Sequence, residues 1–591
     1  MIKDSNSSAT MRHAQQSTIP LGAYLFNRVQ QLGIRSVFGV PGDYNLALLD
    51  FIEPSGLDWV GNCNELNAAY AADGYARIHG LSVVITTFGV GELSAINGIA
   101  GAYAERAPVI HIVGTPSRSL QSSRALVHHT FIDGEYKRFA AMYAHVTAAQ
   151  VNLTDAETAP DQIDWVIAQA MIHQRPVYLQ IPEDMANVAV AATNLGLGPI
   201  TGPSLGTLPI NPEHVATILD RMYSAKQPVI LVDGESRNIG ALAEMDQLIR
   251  ATGWLTWTSA FGKGLVDEEL PNVHGVYLAD YGDDSCATYF KTADLVLFFG
   301  PHLSNINTHI FTAIPDETVT IAFSPNQVQI DGHVLRDTSP RRILAEIVKL
   351  VDMPRLAQVT GPRVVPLPDP NPVASDMLCQ ALFYPFMNRM FRRGDIILTE
   401  TGTAAEGGKV FKLPSGCRFF TAVTWLSIGY MLPAALGVTL AQRDSASHQQ
   451  GHNREPHRTF LFIGDGSFQM TAQEMSTMIK KNLNVVIIII NNNGYTIERV
   501  IHGRNASYNN ISQWNHRHAL GLFGLSDDDA AHRYFAARTW GELRTALDSQ
   551  PMQRENAGVT VIEAFMGQED CTGELKKLLL EQVSKEDKTS L

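Results

Sequence analysis

Asp465, Asn492 and the backbone of Gly494 supply a carboxylate, an amide oxygen and a carbonyl, the ligand types that a hard divalent cation such as magnesium prefers. Each lies just past a stretch that reads as a strand. Residues 459–463 are a short apolar run ended by Gly464-Asp465-Gly466-Ser467, and 484–490 are a β-branched run ended by Asn491-Asn-Asn-Gly-Tyr495. Between them, 469–481 has the apolar spacing of a helix. Ligands of an open parallel sheet sit beyond the carboxyl ends of its strands, so neighbouring strands would aim Asp465 and Asn492 into one crevice. Gly466 would let a phosphate approach the backbone, Ser467 can donate its hydroxyl to it, and the following helix offers its positive end.

Two further features could move protons. The adjacent pair His128-His129 offers imidazoles, which carry protons both ways near neutral pH, and Glu65 offers a carboxylate. Glu65 reads equally well as a helix-start carboxylate, because Asn64-Glu65 suits the positive end of a helix. Adjacent histidines also occur on ordinary surfaces. The motifs around these residues decide between the readings.

Those motifs are Phe38-Gly-Val-Pro-Gly-Asp43-Tyr44, Gly61-Asn-Cys-Asn-Glu65, Thr86-Thr-Phe-Gly-Val-Gly-Glu-Leu-Ser94, His128-His129-Thr130 and Asn493-Gly-Tyr-Thr-Ile-Glu498. Together with Gly464-Asp-Gly-Ser467 and the asparagine run, they resemble the fungal-like pyruvate decarboxylase family of thiamine diphosphate-dependent 2-oxo acid decarboxylases. The resemblance spans about residues 21–570. It implies a small 2-oxo acid substrate, most simply pyruvate, decarboxylated through a carbanion of thiamine diphosphate, with Mg2+ at Asp465, Asn492 and Gly494. It implies that Glu65 pairs with the cofactor's pyrimidine, while Asp43, His128, His129 and Glu498 surround its reactive carbon. Thr403 in Glu400-Thr-Gly-Thr403, Leu426 through its carbonyl, Ile428 as an apolar wedge, Gly466 and Ser467 would hold the cofactor. A homodimer or homotetramer is implied, with Glu65 serving the site of another subunit. Two alternatives stand beside this reading: a decarboxylase of aromatic or branched 2-oxo acids, and an inactive cofactor-binding regulator.

Composition fits a multidomain enzyme. The chain has 591 residues, with 45 Lys plus Arg against 59 Asp plus Glu and a formal charge of -14, which disfavours a nucleic-acid partner. No apolar run is long enough to span a membrane. The five scattered cysteines form no Cys-x-x-Cys pair and favour a reduced, cytoplasmic protein. Proline-rich breaks at 195–212 and 360–375 separate three stretches with strand-helix rhythm. The expected fold class is α/β, with three doubly wound parallel-sheet domains at 20–195, 213–359 and 376–570. A disordered tail is expected at 1–19, a C-terminal tail at 571–591 and a polar loop at 442–458.

Several positions depart from the family pattern. Leu426 stands where relatives usually have glycine, and a positive φ there would strain it. Glu406 and Ile306 stand where aromatics are common, which suggests a pocket of altered shape and polarity. Arg106 replaces a histidine and Val232-Asp-Gly-Glu-Ser-Arg237 lacks cysteine, at positions that form the regulatory surface of substrate-activated yeast relatives; hyperbolic kinetics are expected.

Overall fold

The computed structural model describes residues 17–201, 210–335, 338–363, 369–448, 457–554 and 557–589. Three sheets organise them. The first contains, in spatial order, Asp58–Trp59, Ser36–Gly39, Ser82–Thr87, Val109–Thr115, Val177–Pro182 and Gln150–Asn152, all parallel. The third contains Arg418–Thr421, Ile396–Thr399, Thr459–Gly464, Val485–Asn491, Thr560–Phe565 and Tyr534–Ala537, also all parallel. Numbered by chain order within each sheet, both run 2-1-3-4-6-5, so the first and third share one topology.

The central sheet is parallel in its main body, as expected, and adds an antiparallel edge. Its strands Val273–Val276, Leu255–Thr258, Pro228–Val232, Leu295–Phe299 and Thr320–Ser324 are parallel, but Gln327–Ile330 and His333–Leu335 close it as an antiparallel hairpin. The turn at Asp331 and Gly332, both at positive φ, makes that return possible without a crossover helix.

Why the metal-bearing strand is apolar throughout is visible in its two faces. Val485, Ile487 and Ile489 join one core, and Val486, Ile488 and Ile490 join another. A parallel strand buried on both sides needs a continuous apolar run rather than alternation. The first of those cores continues into the N-terminal domain, where helix Met431–His448 crosses helix Glu65–His79. A Cβ on Gly437 would stand 1.9 Å from Ala71 O, and one on Gly74 2.4 Å from Ala434 O, so only glycine allows this crossing.

Local boundaries differ from the sequence reading in four places. The stretch 469–481 is broken by a 3-10 turn at Ala472–Glu474, because buried Glu474 turns inward to accept hydrogen bonds from Asn62 and Asn67. Residues 442–448 continue helix Met431–His448 instead of starting a loop, and 449–456 lie outside the described residues. At the N-terminus, residues 1–16 also lie outside the described residues, whereas Thr18–Pro20 pairs antiparallel with Ala189–Ala191. The stretch 571–591 carries a helix, Gly573–Thr589, packed against Thr496–Ile501 and Thr403–Gly408. Among the described residues no helix is long and apolar enough to cross a membrane, and all five cysteines are free thiols.

Candidate functional site

Strands Thr459–Gly464 and Val485–Asn491 pair in register, which places Asp465 and Asn492 just past adjacent carboxyl ends. Both side chains are buried. Burial pushes the Asp465 carboxyl up to about 6, opposed by the N–H groups of Gly466 at 2.9 Å and Gly494 at 3.2 Å.

The Asn492 amide can sit either way round. When the single Thr496 hydroxyl proton goes to Gln568 O at 2.8 Å, Thr496 Oγ1 is left to accept from Asn492 Nδ2 at 2.8 Å. Asn492 Oδ1 then faces Asp465 Oδ1 at 3.2 Å and Gly494 O at 2.9 Å. Turning the amide over would let its NH2 donate to both oxygens but would take the Thr496 proton from Gln568. With the oxygen inward the three acceptors form a donor set for a hard cation, whose presence would hold that orientation, and magnesium fits it. Beside it, Gly466 and Ser467 open helix Asp465–Thr471, and a Cβ on Gly466 would meet the Tyr495 ring at 2.4 Å.

Thr403, also buried, opens helix Thr403–Gly408 after strand Ile396–Thr399 of the same sheet. Leu426 and the half-buried Ile428 occupy the loop leading to helix Met431–His448. Leu426 has φ 53°, so the condition for strain is met: an L-residue in the left-handed region costs about 1–2 kcal/mol. The loop is held at three points. Glu105 Oε1 accepts from the N–H groups of Val423 and Thr424 at 2.9 Å each and of Trp425 at 3.3 Å. Glu400 accepts from Met431 N at 2.9 Å, and burial pushes its pKa up to about 7 against that bond. Thr471 donates to Gly429 O at 2.7 Å.

The N-terminal residues form a separate cluster. Asp43 follows strand Ser36–Gly39, and its Oδ2 lies 2.8 Å from His128 Nε2. Its own backbone N–H, with the charges of His128 and His129, holds the Asp43 carboxyl below the usual range. The His128 ring stacks on Tyr44 at 4.9 Å and 13°, with Tyr44 OH 3.3 Å from Nδ1. Adjacent side chains on an extended backbone point to opposite faces. His129 avoids this by adopting φ 62°, which brings its ring to 4.6 Å from that of His128. Gly89 admits the turn, since a Cβ there would stand 2.2 Å from His129 O.

Glu65 is the first residue of helix Glu65–His79, whose cap Asn64 accepts from Asn67 N at 2.8 Å. It is both the helix-start carboxylate and a half-buried acid whose pKa burial raises. Its Oε1 stands 3.0 Å from where a Cβ on Gly91 would be. Glu498 is exposed on helix Thr496–Ile501, four residues past Gly494. Among the described residues, no hydrogen bond or ion pair links Asp43, Glu65, His128 or His129 to Asp465, Asn492, Thr403 or Glu498. The residues thus fall into two groups, each with exposed apolar side chains nearby in sequence: Leu126, Phe131 and Ile132 by the histidines, and Ile501 and Tyr508 by Glu498.

Two positions that depart from the family pattern have defined surroundings. Lys409 Nζ donates to Glu406 Oε2 at 2.5 Å and Glu574 N to its Oε1 at 3.2 Å, at the start of the last helix. Ile306 lies partly exposed within the turn Ser304 to Thr308. The sequence reading missed Glu105, Glu400 and Thr496 as supports of the site, although Glu400 and Thr496 lie inside motifs it used.

Comparison with known proteins agrees with this geometry. Three family models match: thiamine pyrophosphate enzyme, N-terminal TPP binding domain, at residues 19–137; the central domain at 215–346; and the C-terminal TPP binding domain at 401–524. A pyruvate decarboxylase of Aspergillus parasiticus is 48% identical over 580 residues, covering 97% of this chain and 99% of the relative. One of Aspergillus fumigatus is 39% identical over 571 residues, covering 94% and 96%. The solved thiamine diphosphate-dependent 4-hydroxybenzoylformate decarboxylase of Rhodococcus jostii RHA1 superposes with TM-score 0.73 at 17% identity, over 93% of this chain and 99% of that one, which is a likeness of fold.

Proposed function

Because the chain belongs to the thiamine pyrophosphate enzyme family, among its pyruvate decarboxylases, we propose that it is a magnesium-dependent pyruvate decarboxylase releasing acetaldehyde and carbon dioxide. The observation that carries the reaction class to this chain's own residues is the convergence of Asp43, His128 and His129. Releasing an aldehyde after loss of carbon dioxide requires one proton delivered and one removed, and this cluster is equipped for both.

In this reading Asp465, Asn492 and Gly494 O hold the metal, and Gly466 and Ser467 receive the diphosphate. Thr403, the Leu426 carbonyl and Ile428 orient the rest of the cofactor. When bound, thiamine diphosphate supplies the electron sink for decarboxylation. Burial raises the Glu65 pKa, the direction that favours sharing a proton with a pyrimidine nitrogen. Asp43, kept ionised, draws the Nε2 proton of His128 and so poises that ring to exchange protons. Glu498, in the other group, would approach the substrate carboxylate.

The two groups support a homodimer or homotetramer in which Glu65, Asp43 and the histidines of one subunit complete the metal site of another. The free cysteines support a cytoplasmic setting. Because Glu406 is neutralised by Lys409 and a helix start, it gives no reason to prefer a bulkier acid over pyruvate.

The test compares aldehyde and carbon dioxide release from pyruvate, 2-oxoisovalerate, phenylpyruvate and indolepyruvate by their specificity constants. A preference for pyruvate is expected. A larger acid favoured tenfold would overturn the substrate, and no turnover of any would favour a cofactor-binding regulator. Glu65→Gln should abolish turnover while keeping magnesium-dependent cofactor binding, and Asp465→Ala should lose that binding.

A further inference from the structure

We propose that Asp43, His128 and His129 also form a second cation site, of the opposite chemical preference to the first: a nitrogen-rich site for a transition metal ion such as Zn2+, whose occupancy shuts the enzyme off. The ligand atoms offered by the three side chains all lie within 4.8 Å of one another. Zinc bonds to imidazole nitrogen and carboxylate oxygen at about 2.0–2.2 Å, so neighbouring ligands around it stand about 3–3.5 Å apart. Asp43 Oδ2 and His128 Nε2 are already at 2.8 Å and need to separate only slightly.

The orientation of each ligand is fixed by something other than the ion. The His128 ring stacks on Tyr44, whose hydroxyl lies 3.3 Å from Nδ1, and this holds Nε2 toward Asp43, where the ion takes its lone pair by displacing the proton shared with the carboxylate. His129 Nδ1 is buried with no hydrogen-bond partner. The left-handed backbone at His129, admitted by Gly89, is what turns two sequence neighbours toward one point. The side chains of His128 and Asp43 are 55% and 61% exposed, so an ion has a path in and solvent can complete its shell.

The two sites divide cations by hardness. Asp465, Asn492 and Gly494 offer only oxygen, which suits magnesium, whereas two imidazoles and one carboxylate suit zinc, nickel, copper or cobalt. Zinc at the second site displaces the proton that His128 and Asp43 share and occupies the lone pairs the relay uses. Inhibition follows from the proposed relay; binding itself does not rest on that reading.

The experiment titrates the purified protein, saturated with magnesium, with zinc against a chromogenic zinc chelator, and follows pyruvate turnover in parallel. We expect one high-affinity ion per chain, weakened about a hundredfold in Asp43→Asn and His129→Asn and about tenfold in Tyr44→Phe, which removes only an orienting hydroxyl. Asp465→Ala and Cys63→Ser should keep full affinity, and turnover lost to zinc should return with the chelator but not with added magnesium. Zinc affinity unchanged in both Asp43→Asn and His129→Asn, or zinc displaced by magnesium, would overturn the site. Zinc bound there without loss of turnover would uphold the site and overturn the relay reading instead.

Discussion

Thr496 Oγ1 lies 2.8 Å from the Asn492 amide and, with its own proton on Gln568 O, accepts from Asn492 Nδ2, the orientation that leaves the amide oxygen toward Asp465 for a cation. Thr496→Val removes that acceptor and frees the amide to rotate its NH2 toward Asp465. Magnesium affinity, read as the magnesium dependence of thiamine diphosphate binding, should fall about 10–100-fold. Thr496→Ser should keep it within about threefold, and equal losses in both variants would contradict the orienting role.

Leu426→Gly tests whether the residue at φ 53° acts through its carbonyl or its side chain. Glycine keeps the carbonyl and relieves left-handed strain, but gains unfolded-state freedom. The two effects nearly cancel, so stability should change by about 1 kcal/mol or less. Cofactor affinity should also hold, and a tenfold loss would show that the leucine side chain itself packs on the cofactor.

Glu92 gives a pH signature. It is fully buried, accepts from Gly89 N at 2.8 Å and Tyr178 OH at 2.6 Å, and burial pushes its pKa from 4.5 to about 7. A carboxyl raised in the folded state contributes stability that is complete below its unfolded value and is lost as pH rises through the folded one. Glu92→Gln can accept from Gly89 and donate to Tyr178 without ionising. Its stability relative to the parent should rise between pH 4.5 and 7, by up to about 3 kcal/mol. A melting-temperature difference that stays flat across that window would exclude Glu92 as the source.

Glu406 should matter for the last helix rather than for substrate choice. Glu406→Ala removes the acceptor at Glu574 N and the partner of Lys409, while His309, 3.2 Å from Glu574, remains as the other hold. Helix Gly573–Thr589 should become more susceptible to limited proteolysis. The preference for pyruvate over phenylpyruvate should shift less than about threefold, and a larger shift would return Glu406 to the pocket.

Arg106 Nε stands 2.9 Å from Glu235 Oε2, forming an ion pair where substrate-activated yeast relatives are expected to have a histidine and a cysteine. A persistent ion pair offers no thiol for substrate to act on. The rate should follow a hyperbola with pyruvate, and a sigmoidal curve would refute this reading.

Much of the site was legible because its chemistry is carried by short motifs at strand ends. Strand Val485–Asn491 announced itself by an unbroken β-branched run, and the asparagines and glycine after it marked both the turn and the proposed metal ligands. Buried supports were not legible in the same way. Glu105 and Glu400 are ordinary glutamates in sequence, and their roles arise only where the Val423 to Met431 backbone is folded against them. Glu406 likewise gains a partner that no neighbouring residue announces, the N–H of Glu574 at the start of a helix from the far end of the chain.

By itself the sequence determined the residue types of both groups, the three-part α/β rhythm and the family, because hydrophobic period and turn chemistry are local properties. Only the tertiary structure decided that His128 and His129 point together, that the Asn492 amide meets the Thr496 hydroxyl, and that no hydrogen bond among the described residues joins Glu65 to Asp465. Those outcomes depend on a backbone angle, a shared proton and the packing of distant elements, and no run of neighbouring residues encodes any of them.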